Sequence, residues 1–409
     1  MRREMRTILS AGLCLSTVAF LEPSVSCDDV AARARKLHFS SIVVDTHDDT
    51  TQRFLDGDFD LGPRNASGSV DIPRMREGGL GAIFFSIWTP SKITGPEAVR
   101  RALDQIAVVR EQVRKHPNDL VLAATSGEVR EARKQGKIAA LMGVEGGHMI
   151  ASDLSVLRSY AALGVRYLTL THSGNAEWAD SSTDKPIHNG LTDFGKEVVR
   201  EMNRLGVMVD ISHVSDKTFR DVLEVSKAPV FASHSSCRAI CDHPRNMTDD
   251  MMRALSGKKG VIQINYHVGF LNQKFRDAEK ADPKINEAIA IEVSRRCDDK
   301  EGCQLIEGDK ITREYVQQGK LPRVAWTDII EHIDHAVKVA GIDHVGLGSD
   351  FDGANMPFGM EDAGKLPKIT EALLGKGYSE SDVRKILGEN TLRLMADIER
   401  VRQELNEVQ

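Results

Sequence analysis

This chain lacks several things. Past residue 30 it has no uninterrupted apolar run of roughly 18 residues, which excludes a membrane-spanning helix from the body of the protein. It has no long basic run, and its formal net charge is −6, so a nucleic-acid partner is not expected. Internal repeats and low-complexity segments are both missing, which sets aside repeat architectures. Aromatic residues are scarce at 5%, yet the hydrophobic content of 41% fits a globular core. What remains is a mildly acidic chain of 409 residues, enough for one large α/β barrel or two ordinary domains.

The first 26 residues differ from the rest. Arg2, Arg3 and Arg6 precede an apolar run from Thr7 to Leu21, which Glu22 and Pro23 end. The small residues Ser24, Val25 and Ser26 follow, completing the layout of a secretory signal peptide over 1–26, with 27–409 as the mature chain. Cleavage there leaves Cys27 at the new N-terminus, which admits an N-terminal lipid anchor on that thiol. Export favours oxidised cysteines. Of the six cysteines, Cys297 and Cys303 flank a short polar loop and are the favoured pair. Cys241 joined to one of them is the alternative, since connectivity is not fixed by sequence. A zinc site on Cys237 and Cys241 is disfavoured in such a compartment.

Continuous apolar, β-branched runs recur along the chain. They predict strands at 41–47, 81–88, 138–144, 166–172, 207–213, 229–234, 260–265 and 344–350. Runs without polar alternation suit strands covered on both faces, as in a parallel sheet. Amphipathic helices lie between them, most clearly at 96–116 and 192–206, the second stopping at Gly206. Eight strands alternating with helices predict a (β/α)8, TIM-like α/β barrel, with a doubly wound sheet as the other arrangement. Residues 271–325 break the rhythm and are read as an insertion after the seventh predicted strand, over the active-site face. The chain then closes with C-terminal helices, with Ser379 as an N-cap and a break at Gly388 to Asn390.

The stretch SIVVDTHDDT (41–50) raises the central question, because a buried strand runs straight into acids and a histidine. The other strand ends answer it. His47 and Asp49 end the first strand, Glu145 the third, His172 the fourth, His213 the fifth, His234 the sixth and Asp350 the eighth. In a barrel these ends converge on the one face where barrel enzymes keep their chemistry. Each alone is ordinarily a hydrogen-bonded group or a helix cap; together they specify a metal site. Histidine and carboxylate donors suit zinc and similar divalent cations. His47, Asp49, Glu145, His213 and His234 are too many for one catalytic zinc and about right for two that share a carboxylate. Such a pair can hold a hydroxide and polarise a carbonyl. Asp350 is left as the base that handles a proton. Asp45 is read as a supporting strand-end residue.

Six segments in order, HxD at 47–49, GVEGGH at 143–148, LTHSGNAEWADSS at 170–182, DISHVS at 210–215, ASHSS with HPRN at 232–246 and GLGSDFDG at 346–353, resemble the membrane dipeptidase family. This family, also called renal dipeptidase or peptidase family M19, is a branch of the amidohydrolase superfamily. The resemblance runs from about residue 40 to about residue 395. It implies a zinc-dependent hydrolase of free dipeptides that tolerates a C-terminal D-residue and acts through a metal-bridged hydroxide. His47 and Asp49 would hold one Zn2+, His213 and His234 the other, and Glu145 would bridge them. His172 would polarise the carbonyl, Arg245 would bind the dipeptide carboxylate, and Asp350 would pass a proton to the leaving amine. A planar, permanently charged guanidinium suits a terminal carboxylate. The resemblance further implies a homodimer, and with the N-terminal signal it implies a bacterial, periplasmic member. In some relatives an aromatic near the seventh strand lines the pocket; here Tyr266, His267 and Phe270 all stand available. Another binuclear amidohydrolase activity, on a lactone, β-lactam or ester, is the alternative function.

Overall fold

The computed structural model describes residues 27–57, 59–298 and 300–407. The expected signal peptide lies outside them, as does the side chain of Cys27, which opens a helix at Cys27–Ser40.

Nine parallel strands form one sheet. They are β1 (Val43–Asp48), β2 (Leu80–Trp88), β3 (Leu120–Leu122), β4 (Ile138–Glu145), β5 (Val165–Thr169), β6 (Met208–Asp210), β7 (Phe231–Ser235), β8 (Val261–Ile264) and β9 (Val345–Leu347). Eight of them run in the order β1-β2-β4-β5-β6-β7-β8-β9, and β3 pairs with β4 off this path. Strand β3 has three residues, two of them half-buried, too short a run to stand out in the sequence. Backbone bonds close the ring between its first and last strands: Asp350 N–H donates to His47 O at 3.1 Å, and Asp49 N–H donates to Phe351 O at 2.9 Å. The eight-stranded path with helices outside is therefore a nearly closed TIM-like α/β barrel.

The long central strands read as their burial demands. All eight residues of β4 are buried, and so are eight of the nine in β2. Inside the barrel Tyr167 packs its ring between Phe84 and Phe231, each 5.6 Å away. Gly143, which pairs with Tyr167 across β4 and β5, makes this fit: a Cβ there would stand 1.9 Å from the phenol ring. Helix starts are held by side chains, as Thr125 and Glu128 in a reciprocal capping box and Ser379 capping Glu380–Arg384. Each such cap contributes about 1 kcal/mol.

Three strands are shorter than their apolar runs predict. The runs to His172, His213 and Asp350 leave the ladder at Thr169, Asp210 and Leu347. His213 and Asp350 have φ of +68° and +66°, left-handed conformations that no strand accommodates. The chemistry-bearing residues thus stand on turns just above the strands, where their side chains can swing inward.

Residues beyond β8 are helical, at Val268–Leu271, Gln273–Ala281, Pro283–Cys297 and Glu301–Gln317. The short helices read at IEVSRR and ITREYVQQG are parts of the two longer ones. A disulfide joins Cys297 to Cys303 across the tip of that pair, and Cys237 and Cys241 stay as buried thiols. The pair spans two loops above the barrel. Cys303 N–H donates to Asp56 at 2.8 Å, after β1, and Met356 N–H donates to Asp309 at 2.9 Å, after β9.

Candidate active site

Glu145, the last residue of β4, is the hub. Its Oε2 lies 3.4 Å from His47 Nε2, and its Oε1 lies 2.9 Å from His213 Nε2 and 3.3 Å from His234 Nε2. One carboxylate therefore faces two donor clusters. On the β1 side, His47 Nε2 also lies 3.6 Å from Asp49 Oδ2 and 4.0 Å from Asp350 Oδ1. On the other side the two Nε2 atoms of His213 and His234 approach to 2.9 Å. Three groupings have ligand atoms within 4.8 Å of one another: His47, Glu145 and His234; Glu145, His172 and His213; and His47, Asp49 and Asp350.

The residues fit a pair of cations. His47 is 0% exposed, His234 1%, Glu145 3% and Asp49 4%, so water cannot satisfy them. Among the described residues, His47 Nε2 and Asp49 Oδ1 have no hydrogen-bond partner. Buried polar atoms left so are costly, and a metal ion removes the cost. Burial pushes His234 down to about 4 and lowers His213 and His172, which leaves imidazoles with a free lone pair. Burial works against the Glu145 charge, but His47 holds its carboxyl well below the usual range.

The remaining predicted residues stand around this hub. His172 Nε2 is 3.8 Å from Glu145 Oε1, with its ring over Trp88 at 5.4 Å and near His213 at 4.6 Å. Asp350 accepts from Asn265 Nδ2 at 2.8 Å on Oδ2, which leaves Oδ1 toward His47. Arg245 is buried, donates to His234 O at 3.0 Å, and keeps its Nε without a partner. Burial lowers its pKa to about 10, so the guanidinium stays charged near neutrality. Of the three aromatic choices after β8, Tyr266 turns into the core against Phe351. Phe270 lies 5.3 Å beneath the Arg245 guanidinium, flanked by His243 and His267.

Several supporting residues were not singled out by the sequence. Tyr167 OH meets His47 Nδ1 at 2.8 Å, and Ser233 Oγ meets His234 Nδ1 at 2.7 Å. Asp48 and Asp352 both contact Thr50 Oγ1, at 2.9 and 2.7 Å, below Asp49. The acids and the serine lie inside or beside motifs already noticed, and that adjacency was the available signal. Tyr167 read as an ordinary core aromatic. Asp45, as expected, supports: its Oδ1 accepts from Ser349 N at 2.9 Å and His47 N at 3.3 Å.

Solved structures resemble this one along nearly their whole length. The probable dipeptidase PvdM from Pseudomonas aeruginosa is 28% identical with a TM-score of 0.74, covering 91% of this chain and 99% of that one. A metallo peptidase from Rhodobacter sphaeroides, liganded with a phosphinate mimic of the dipeptide L-Ala-D-Ala, is 27% identical with a TM-score of 0.72, covering 88% and 99%. The dipeptidase AC, a metallo peptidase of family M19, is 28% identical with a TM-score of 0.71, covering 87% and 98%. Residues 31–409 match the membrane dipeptidase family as a whole. With a barrel of this topology and a histidine–carboxylate cluster at its mouth, the chain belongs to the membrane dipeptidases, the metallopeptidases of family M19.

Proposed function

We propose that this protein is a zinc-dependent dipeptidase that cleaves free dipeptides, including those with a C-terminal D-residue. The observation that carries the reading is Glu145, whose two oxygens face separate donor clusters beside a buried, charged Arg245. In this reading His47 and Asp49 would hold one cation, His213 and His234 would hold the other, and Glu145 would serve both. Two divalent cations there supply Lewis acidity toward water and the scissile carbonyl.

The chain's own residues do the rest. Arg245 offers the peptide's free carboxylate an unpaired Nε in a site that burial has dried, where a charged hydrogen bond is strong. An amidated or longer peptide has no carboxylate at that point, so the clamp selects dipeptides. His172, neutral and braced on Trp88, donates to the oxygen that becomes negative when the carbonyl carbon turns tetrahedral. Asp350 takes a proton from water on Oδ1 and delivers it to the departing amine, while Asn265 holds Oδ2 still. Acceptance of a C-terminal D-residue is supported by the Rhodobacter relative, whose ligand mimics L-Ala-D-Ala. The same proposal places the protein outside the cytoplasm, supported by the arginine-led apolar run and the Cys297–Cys303 disulfide.

A panel of L-L and L-D dipeptides, with N-acetylated and C-amidated members, tests the reading on zinc-loaded protein. Cleavage of the free dipeptides and not of the amidated ones is expected. Efficient cleavage of amidated members, or silence on the whole panel with two zincs bound, refutes it and points to lactone, β-lactam or ester substrates.

A further inference from the structure

His234 lies on β7, and its two ring nitrogens face different worlds. Nε2 points at His213 and Glu145. Nδ1 meets Ser233 Oγ at 2.7 Å. Adjacent residues of a regular strand point to opposite faces; here the β7–β8 register shifts between Ala232 and Ser235, and the two neighbours can touch. Ser233 Oγ in turn lies 2.6 Å from Asp210 Oδ2. Asp210, at the end of β6, is fully buried and accepts from Thr169 Oγ1 at 2.5 Å, Ser233 N at 2.8 Å and Ser212 N at 3.0 Å.

Hydrogen counting sets the direction of this chain. A carboxylate only accepts, so the one hydroxyl proton of Ser233 goes to Asp210. Ser233 Oγ is then left with lone pairs toward His234, and Nδ1 must carry the hydrogen. The lone pair of the neutral ring falls on Nε2, the atom aimed into the cluster. We propose that Asp210, acting through Ser233, is a positioning residue that fixes His234 in its ligating tautomer. The relay serves only the cation held by His213 and His234. His47 is oriented independently, by Tyr167 from another strand. Among the described residues His213 Nδ1 has no hydrogen-bond partner, so on that side the relay is what fixes a ligand tautomer. The proposal rests on the metal-ligand reading above.

Asp210→Asn keeps the shape and reverses the logic. Turned with its NH2 toward Ser233, the amide donates, Ser233 donates to Nδ1, and the hydrogen of His234 moves to Nε2. Ser233→Ala removes the relay but spares the backbone bonds to Asp210. The test is cobalt titration of metal-free wild type, S233A, D210N and the double variant, followed by visible absorption and chelator competition. Wild type is expected to take up two equivalents. Each single variant should bind one equivalent as wild type does and the other about 10- to 100-fold more weakly. The double variant should be no worse than S233A, because both changes interrupt one path. Thermal melts of the metal-free proteins separate tautomer control from folding, and S233A should melt with wild type. Unchanged affinity in both single variants overturns the relay. So does equal weakening of both equivalents with a lowered metal-free melt, or additive losses in the double variant. A wild type that binds no cobalt overturns the metal reading itself, and the relay with it.

Discussion

Arg245 and His332 show how burial turns single side chains into measurable quantities. Arg245 keeps its charge in a dry site and has an unpaired nitrogen to offer. Arg245→Ala removes one half of a buried charge pair, a loss of about 2–5 kcal/mol, or roughly 30- to 5,000-fold in kcat/KM for free dipeptides. Arg245→Lys should restore little, since an ammonium lacks the planar fork. Steady-state kinetics of both variants on one dipeptide checks this. His332 lies away from the cluster. It accepts from Cys237 N–H at 3.0 Å and its Nε2 donates to Leu271 O at 2.9 Å, which ties the loop after β7 to the segment after β8. Burial pushes its pKa down to about 4. A lowered folded-state pKa stabilises above the unfolded value and loses that stability as pH falls toward the folded one. Between about pH 7 and about pH 5 the wild type should therefore lose about 2 kcal/mol through this group. A His332→Gln variant, which cannot charge, should have a correspondingly shallower pH dependence in urea unfolding.

Elements carry two further expectations. Gly143 lets Tyr167 cross the barrel, so Gly143→Ala should destabilise by about 1–3 kcal/mol or more through overpacking. It should also loosen His47, which Tyr167 orients; chemical denaturation and metal affinity should fall together. The Cys297–Cys303 bridge closes a short loop at the tip of the helix pair. Its loss by C297S/C303S should release about 2–3 kcal/mol of loop-closure constraint. The effect should be local, so limited proteolysis should cut first within residues 297–303 of the reduced or double-serine protein, leaving the barrel intact. These elements also show what a sequence can and cannot reveal. Long, buried strands such as β2 and β4 were legible because their apolar runs are nearly continuous. The ends of β6 and β9 were misplaced because a left-handed turn at His213 or Asp350 leaves no mark in a hydrophobicity pattern. Glu145, His172 and Asp350 stood out because several His and carboxylate residues fall together at the ends of successive predicted strands. Tyr167 and Ser233 did not, since their roles depend on which atom they meet across the barrel.

For the molecule as a whole, the cluster is a store of destabilisation that ligands relieve. Buried carboxylates and imidazoles without partners weaken the metal-free fold. A cation present at 100 to 1,000 times its dissociation constant adds about 3–4 kcal/mol of stability. Chelator-treated protein should melt several degrees lower than the zinc-loaded form in calorimetry, and added zinc should restore the transition. A metal-independent melting temperature would contradict the proposed ligand set.

The seam where β9 meets β1 has a consequence for how the protein is made. His47 and Asp49 lend their own backbone to the two bonds that close the ring, and their partners are Asp350 and Phe351. The first strand to leave the ribosome thus waits for the last. All five proposed metal ligands are synthesised before Val345, yet Asp350 and Phe351, which fix the backbone of two of them, come after it. Capture of the cation assigned to His47 and Asp49 should therefore follow synthesis of Phe351. A polypeptide released before that point keeps Glu145, His213 and His234 but lacks the seam that holds His47 and Asp49.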